Sequence, residues 1–401
     1  MSQRFRLSQG IKNTGRPPIP RAYAWAALYP ATEARPLLDM SQGVPGVPPP
    51  NMLLDAMAAA SAAPSSCGYL ANAGDPALLQ AMAKEMKECY GEDADILADD
   101  LVITAGCNLA FSSPQWSLRM RETRSSFPFL AVLLHTYANE GFLPSPERCA
   151  SLITSKTKAI VLVTPNNPTG AIYPPNLLAS FASLAREHNL ALVLDETYRD
   201  FVSSGAPHHL FSPSSVGDAP LDWAWRTTLV HLFSFSKSFC IPGHRLGLVA
   251  GPPAFTAALC TALDSLQICA PRAPQAALAP LITSGALRPF VQDMARAVQH
   301  RHALFKARVP PRWRIGCQGG YYAFVRHPFV GRRAEEICER LAREAGVVTL
   351  PAGFFAPPAD EKEGEEGRWV RFSVANVDDR KVELVCERLA ECETTFGWEL
   401  D

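Results

Sequence analysis

HLFSFSKSFCIPGHRLGLVAG, residues 231–251, holds a single lysine, Lys237, in a run of serine and phenylalanine. Eight residues on, Arg245 follows a Pro-Gly turn, and the apolar stretch after it reads as a strand. A lysine here interrupts a segment that would otherwise bury only apolar side chains. Three other short apolar runs end in the same manner: DDLVITAG (99–106), AIVLVTPNNPTG (159–170) and LALVLDETYRDF (190–201). Between the last two lies PPNLLASFASLAREHN, helical by its apolar spacing. Strand–helix–strand succession predicts an α/β fold with a mostly parallel sheet covered by helices. Ligands of such sheets bind beyond the carboxyl ends of the strands, where Asn167, Asp195, Tyr198 and Lys237 stand.

Outward from this centre the patterns change. Residues 1 to about 50 read as irregular and proline-rich, and DPALLQAMAKEMKECYG as an amphipathic helix closed by Gly91. From about residue 280, a long helical stretch (about 285–308) leads to GGYYAFVRHPF, RWVRFSVAN and an amphipathic helix at 379–393, the pattern of a smaller α+β domain. The expected division is therefore 1–50, an N-terminal arm contributing to the small domain; 51–280, the large domain; and 281–401, the C-terminal small domain. The acidic ADEKEGEEG (359–367) reads as a solvated loop.

Bulk composition narrows the function classes. With 401 residues, 47% apolar and 19% charged, the chain can bury a large core. Thirty-eight basic against 39 acidic side chains give a net charge of −1, which offers no attraction to nucleic acid or an anionic membrane. Eleven cysteines without CxxC spacing fit reduced thiols better than disulfides or zinc, and no run is long enough for a membrane span. The N-terminal residues lack the apolar core of a signal peptide, so a soluble, cytoplasmic protein without a metal is expected.

Each polar feature alone has an ordinary reading. Lys237 fits a snorkelling surface lysine, Asp195 a helix cap or metal ligand, PNNPTG a turn, and Arg371 half of a salt bridge. Their order is more telling. N-N-P-T-G, then D-x-x-Y, then S-x-S-K with an arginine eight residues on in GHRLG, then R-x-S-V-A-N together resemble the class I and II aminotransferases. These are pyridoxal-phosphate (PLP) enzymes of fold type I, and the resemblance covers nearly the whole chain.

The resemblance implies roles by position. Lys237 would form a Schiff base with the cofactor aldehyde and afterwards move a proton. Asp195 would keep the pyridine nitrogen protonated, making the ring an electron sink. Tyr198 and Asn167 would bond the phenolic oxygen. Arg245, the hydroxyls of Ser234 and Ser236, and the amides of Ala105, Gly106 and Cys107 at a helix N-terminus would hold the phosphate. Tyr69, five residues before Gly74, would reach the phosphate of a neighbouring subunit, which implies a homodimer. Arg371 would clamp the substrate α-carboxylate, Asn167 would sit beside it, and Gly43 would let backbone approach it closely. The large domain, 51–280, would then be the PLP-binding one.

One interval departs from the family. After TAGCNLAF the family continues with an apolar helix, then roughly A-G-D-E-V-I-L-P and a ring-stacking aromatic; here SSPQWSLRMRETRSSFPFLAVLLHTYANEGFLPSP (112–146) follows. Gly-Asp-Glu-Val-Ile-Leu-Pro, written as GGN GAY GAR GTN ATH CTN CCN and read one nucleotide late, can spell Glu-Thr-Arg-Ser-Ser-Phe-Pro, as stands at 122–128. Residues 112 to about 140 thus read as a frameshifted or unspliced stretch, with the frame restored at PERCASLIT. Genuine divergence is the alternative, and the transcript sequence decides between them.

The function expected is transfer of an amino group between an L-amino acid and a 2-oxo acid. Two alternatives share these residues: a PLP-dependent lyase, such as an aminocyclopropane-carboxylate synthase or a carbon–sulfur β-lyase, and a homologue impaired by the damaged interval.

Overall fold

A computed structural model describes residues 17–110, 132–202, 205–213, 220, 222–355 and 367–401. Most of the interval read as frameshifted, and most of the acidic stretch at 359–367, lie outside the described residues. From 132 to 140 the chain forms only a single 3-10 turn, Ala138–Glu140, and its Val132 and Leu133 are exposed.

In chain order the first strands are β1 (Leu38–Asp39), β2 (Leu101–Thr104), β3 (Ala159–Val163), β4 (Ala191–Asp195), β5 (Leu229–Ser234) and β6 (Gly247–Ala250). They are followed by β7 (Arg314–Gly319), β8 (Tyr322–Arg326), β9 (Val347–Val348), β10 (Leu350–Pro351) and β11 (Trp369–Ser373). The larger sheet has the order β2-β6-β5-β4-β3. β3, β4 and β5 are parallel, whereas β6 runs antiparallel to both of its neighbours. The carboxyl ends of β2, β3, β4 and β5 therefore share one rim with the amino end of β6. That rim receives every strand-end residue singled out above, Arg245 included.

β2, β4, β5 and β6 are apolar on both faces because both faces are covered, whereas Val161 of the edge strand β3 is exposed. Along β4, Leu192 and Leu194 enter the core beneath the helix Pro76–Tyr90, while Val193 joins Val102, Val230 and Val249 under Leu259 and Leu263 of the helix Pro253–Leu266. The helix Pro76–Tyr90 begins at Asp75, whose carboxylate accepts the Ala77 amide, and stops at Gly91 with φ +108°.

The second sheet, β10-β11-β8-β7, is antiparallel and packs against Ala334–Arg340 and Asp379–Thr395 in a separate core. The first fifty residues are not wholly irregular. A helix, Ile19–Ala26, buries Ala22, Trp25 and Ala26 in this second core, and β1 pairs parallel with β9. Its apolar face is short and proline-flanked, so only the distant partner surface makes the helix favourable.

A buried polar cluster lies one residue from the rim. The Glu196 carboxylate accepts from the Tyr90 hydroxyl and meets His231 Nε2 at 3.0 Å and His208 Nε2 at 3.3 Å. Burial alone would raise this carboxyl, but His208 and His231 hold it well below the carboxylate range. Burial pushes His231 down to about 4 and, with Arg368 and Arg326 nearby, His327 to about 3; it lowers His302 as well. The unfolded chain therefore binds up to two protons, at His231 and His327, that the native one refuses between about pH 6.5 and 4, and His302 acts in the same direction. Stability should be full above that window and fall through it as pH drops, with a slope approaching about 3 kcal/mol per pH unit from His231 and His327. Urea midpoints measured from pH 8 to 4 check this; a flat profile would refute it.

Candidate active site

Lys237 lies in a one-turn helix, Phe235–Ser238, that springs from the end of β5 and is capped by Ser234 Oγ. Its Nζ donates to the Gly43 carbonyl at 2.7 Å and has no carboxylate partner among the described residues. Burial, aided by the charges of Arg245 and Arg371, lowers this amine to about 8. The lysine thus keeps a minor but accessible fraction of free base near neutral pH, the form a nucleophile needs.

Asp195 closes β4 one strand away. Its Oδ1 accepts both the Thr197 amide (3.0 Å) and hydroxyl (2.7 Å), and no cation lies within ion-pair distance among the described residues. Burial raises its pKa, the Thr197 bonds opposing this. A buried carboxylate with no positive partner is costly unless something cationic is to be bound.

Arg371, on β11, presents the opposite case. Its guanidinium is buried, donates from Nη1 to Asn167 Oδ1 (2.8 Å) and from Nη2 to the Ser41 carbonyl, and leaves Nε without an acceptor among the described residues. It is sandwiched between the rings of Tyr322 and Phe355, each centroid 4.5 Å away. Among the described residues no carboxylate neutralises it. The loop after β1 therefore faces both cations, Gly43 meeting Lys237 and Ser41 meeting Arg371.

Arg245 adopts φ +54° just before β6 and bonds the Pro242 carbonyl. It lies against the turn after β2: a Cβ placed on Gly106 would come 2.2 Å from Arg245 Nη2. The expected trio of free amides needs correction here. The Ala105 N–H donates to Gln267 Oε1 (2.7 Å) and the Gly106 N–H to the Thr104 carbonyl (2.7 Å), because the strand end and the Gln267 side chain satisfy them first. Of the three, the Cys107 amide is the one without an acceptor among the described residues. Ser234 and Ser236 are buried beside this corner. Tyr69 stands apart, 77% exposed.

The sequence reading missed Tyr322, Ser41 and Phe355. GGYYAFVRHPF was visible as a strand, but only sheet pairing shows that Phe324 lies opposite Arg371, putting Tyr322 diagonally across from it on the same face.

A rim that gathers a desolvated amine, an unpaired carboxylate and an arginine-backed glycine turn is built like a fold type I PLP enzyme. The model of the family "Aminotransferase class I and II" matches residues 35–389. The chain belongs to the class I and II aminotransferase family, PLP-dependent enzymes that move an amino group between an L-amino acid and a 2-oxo acid. It is 29% identical over 340 residues to the aspartate/prephenate aminotransferase of Thermus thermophilus, covering 80% of this chain and 84% of that one. It is 28% identical to aromatic-amino-acid aminotransferase 2 of Thermococcus litoralis, with coverages of 80% and 82%. The solved structure of a single mutant of Thermus thermophilus aspartate aminotransferase superposes with a TM-score of 0.81 at 24% identity, over 96% of this chain and 99% of that one. These relatives are transaminases by name, so the lyase alternative is not favoured. No helix among the described residues is long and apolar enough to cross a membrane.

The residues fit the cofactor. Among the described residues Asp195 has no cation beside it, as a partner for a protonated pyridine nitrogen should, and Lys237 no anion, as an amine reserved for an aldehyde should; Arg245 beside Gly106 offers a phosphate its charge.

Proposed function

We propose that this chain transaminates through Lys237, with the two half-reactions sharing one set of side chains. The observation that carries the reading is the pairing, on the same rim, of a desolvated lysine with a partly buried aspartate that has no cation beside it among the described residues. Lys237 would hold the cofactor aldehyde, Asp195 the ring nitrogen, and Tyr198 and Asn167 the phenolic oxygen. Arg245, Ser234, Ser236 and the Cys107 amide, at the turn of Ala105 and Gly106, would hold the phosphate. Bound there, PLP supplies an electron-withdrawing ring that acidifies the substrate Cα–H. Arg371 orients the substrate by its α-carboxylate, exchanging the Ser41 carbonyl for a charged acceptor. Gly43 leaves room for that exchange. Once free of the aldehyde, Lys237 Nζ would take the proton from Cα and deliver it to the carbon that had carried the aldehyde oxygen.

The rings of Tyr322 and Phe355 beside Arg371 support an aromatic or aliphatic donor. Exposed Tyr69, with exposed Ile268 next to the Cys269 that accepts the Leu70 amide, supports a homodimer in which Tyr69 serves the neighbouring site. Eleven free thiols support the cytoplasm. The large domain in this reading is 51–280 and the small one 281–401 with the N-terminal arm. Single-turnover spectra with a panel of amino acids test the reading: conversion of PLP to stable pyridoxamine phosphate supports it, and release of ammonia without that product overturns it.

Gly106→Ala probes the phosphate corner. The new methyl group sits at φ +89°, a conformation that strains any side chain, and it pushes the Arg245 guanidinium away from the turn. PLP affinity should weaken about 10- to 100-fold, the value of one charge-assisted hydrogen bond. Fluorescence titration of the cofactor-free protein measures it, and an unchanged Kd would remove Arg245 from the phosphate site.

A further inference from the structure

We propose that Tyr322 is a positioning residue for the reaction, its hydroxyl directing the Tyr198 phenol and its ring seating Arg371. This rests on the role proposed above for Tyr198. Tyr322 opens β8 inside the GGYYAFVRHPF stretch and is buried between the two sheets. Its Oη lies 2.5 Å from Tyr198 Oη, a contact in which the geometry allows either phenol to donate. Its backbone is clamped: a Cβ on Gly170 would come 2.4 Å from the Tyr322 carbonyl oxygen. Its hydroxyl fills the space at Gly43, where a Cβ would come 1.8 Å from Oη. Arg371 covers its ring face at 4.5 Å.

Two buried phenols in contact share one hydrogen bond, and each has a single proton to give. Burial pushes both upward, so both stay protonated in the working range. The Arg371 charge over the Tyr322 ring makes that hydroxyl the better donor. With Tyr322 donating, the Tyr198 oxygen is occupied as an acceptor, and its own proton is left for the phenolic oxygen of the cofactor. One residue thereby links the cofactor side of the site to the carboxylate clamp, an arrangement that neither D-x-x-Y nor R-x-S-V-A-N contains.

The test is a pH titration of the cofactor–Lys237 absorption band in holoenzyme. A donor to the phenolic oxygen favours the deprotonated form, so weakening it raises the midpoint. Tyr322→Phe keeps the ring and removes the donor: the midpoint should rise by about half a pH unit, and less than in Tyr198→Phe. In a Tyr198→Phe background it should add nothing. KM for the amino acid should stay within about twofold in Tyr322→Phe and rise about tenfold in Tyr322→Leu, which also loses the cation–π contact. A wild-type midpoint in Tyr322→Phe, or a shift that persists without the Tyr198 hydroxyl, overturns the proposal. A wild-type midpoint in Tyr198→Phe overturns instead the role of Tyr198 on which it stands. Melting curves of the variants show whether folding is retained.

Discussion

Lys237→Ala is expected to lower kcat by about 10⁴-fold or more, because one substitution removes both the nucleophile and the group that moves the proton. The amine is lowered to about 8 by burial and by two arginines, and among the described residues no carboxylate compensates it. Such an environment opposes stability, so the lysine is retained for chemistry. Its loss should leave the melting temperature of the cofactor-free protein unchanged or slightly raised, since only the bond to the Gly43 carbonyl disappears. Borohydride reduction followed by peptide mass spectrometry should find a pyridoxyl group on Lys237 in the parent chain and none in the variant. Turnover within tenfold of the parent would refute the assignment.

Asp195→Asn should separate a second role from the first. The amide keeps the shape of the side chain and can still accept from Thr197, but it offers the ring nitrogen no negative charge. Loss of a preorganised charge of this kind lowers kcat/KM by about 10²–10³-fold. Borohydride should still trap the cofactor on Lys237, which distinguishes a weakened electron sink from a lost attachment point. Stability should move the other way. The folded carboxyl has its pKa raised by burial, so the cofactor-free native state holds a proton that the unfolded state has already released as pH climbs past the ordinary aspartate value. Above that point the carboxylate costs the cofactor-free protein stability, and the asparagine variant should melt at a higher temperature at pH 7. A variant that melts lower, or that keeps parental kcat/KM, would contradict the account.

Parts of the architecture follow from local pattern. The runs at 101–104 and 191–195 form strands because continuous apolar sequence is best satisfied between two covering layers, and the helix Pro76–Tyr90 follows from Asp75, Pro76 and Gly91 at its ends. The helix Ile19–Ala26 was illegible. Its two turns carry too little propensity to form alone, and the surface that stabilises it comes from residues more than 250 positions away. The anion site at Ala105, Gly106 and Cys107 was overestimated for a related reason: Gln267, far along the chain, takes the Ala105 amide, and no spacing rule contains it.

By itself the sequence determined which chemical groups stand at the strand ends: Lys237, Asp195, Asn167, Tyr198 and Arg245 each close or follow an apolar run, and their order identifies the family. Tertiary structure decided what those groups meet. The antiparallel turn of β6 returns Arg245 to the rim, and the pairing of β8 with β11 sets Tyr322 beside Arg371 and against Tyr198. Strand periodicity is a local property of the backbone and can be read along the chain. Burial, charge compensation and the sharing of a proton between two phenols depend on atoms brought together from distant segments, and those arise only when the chain closes on itself.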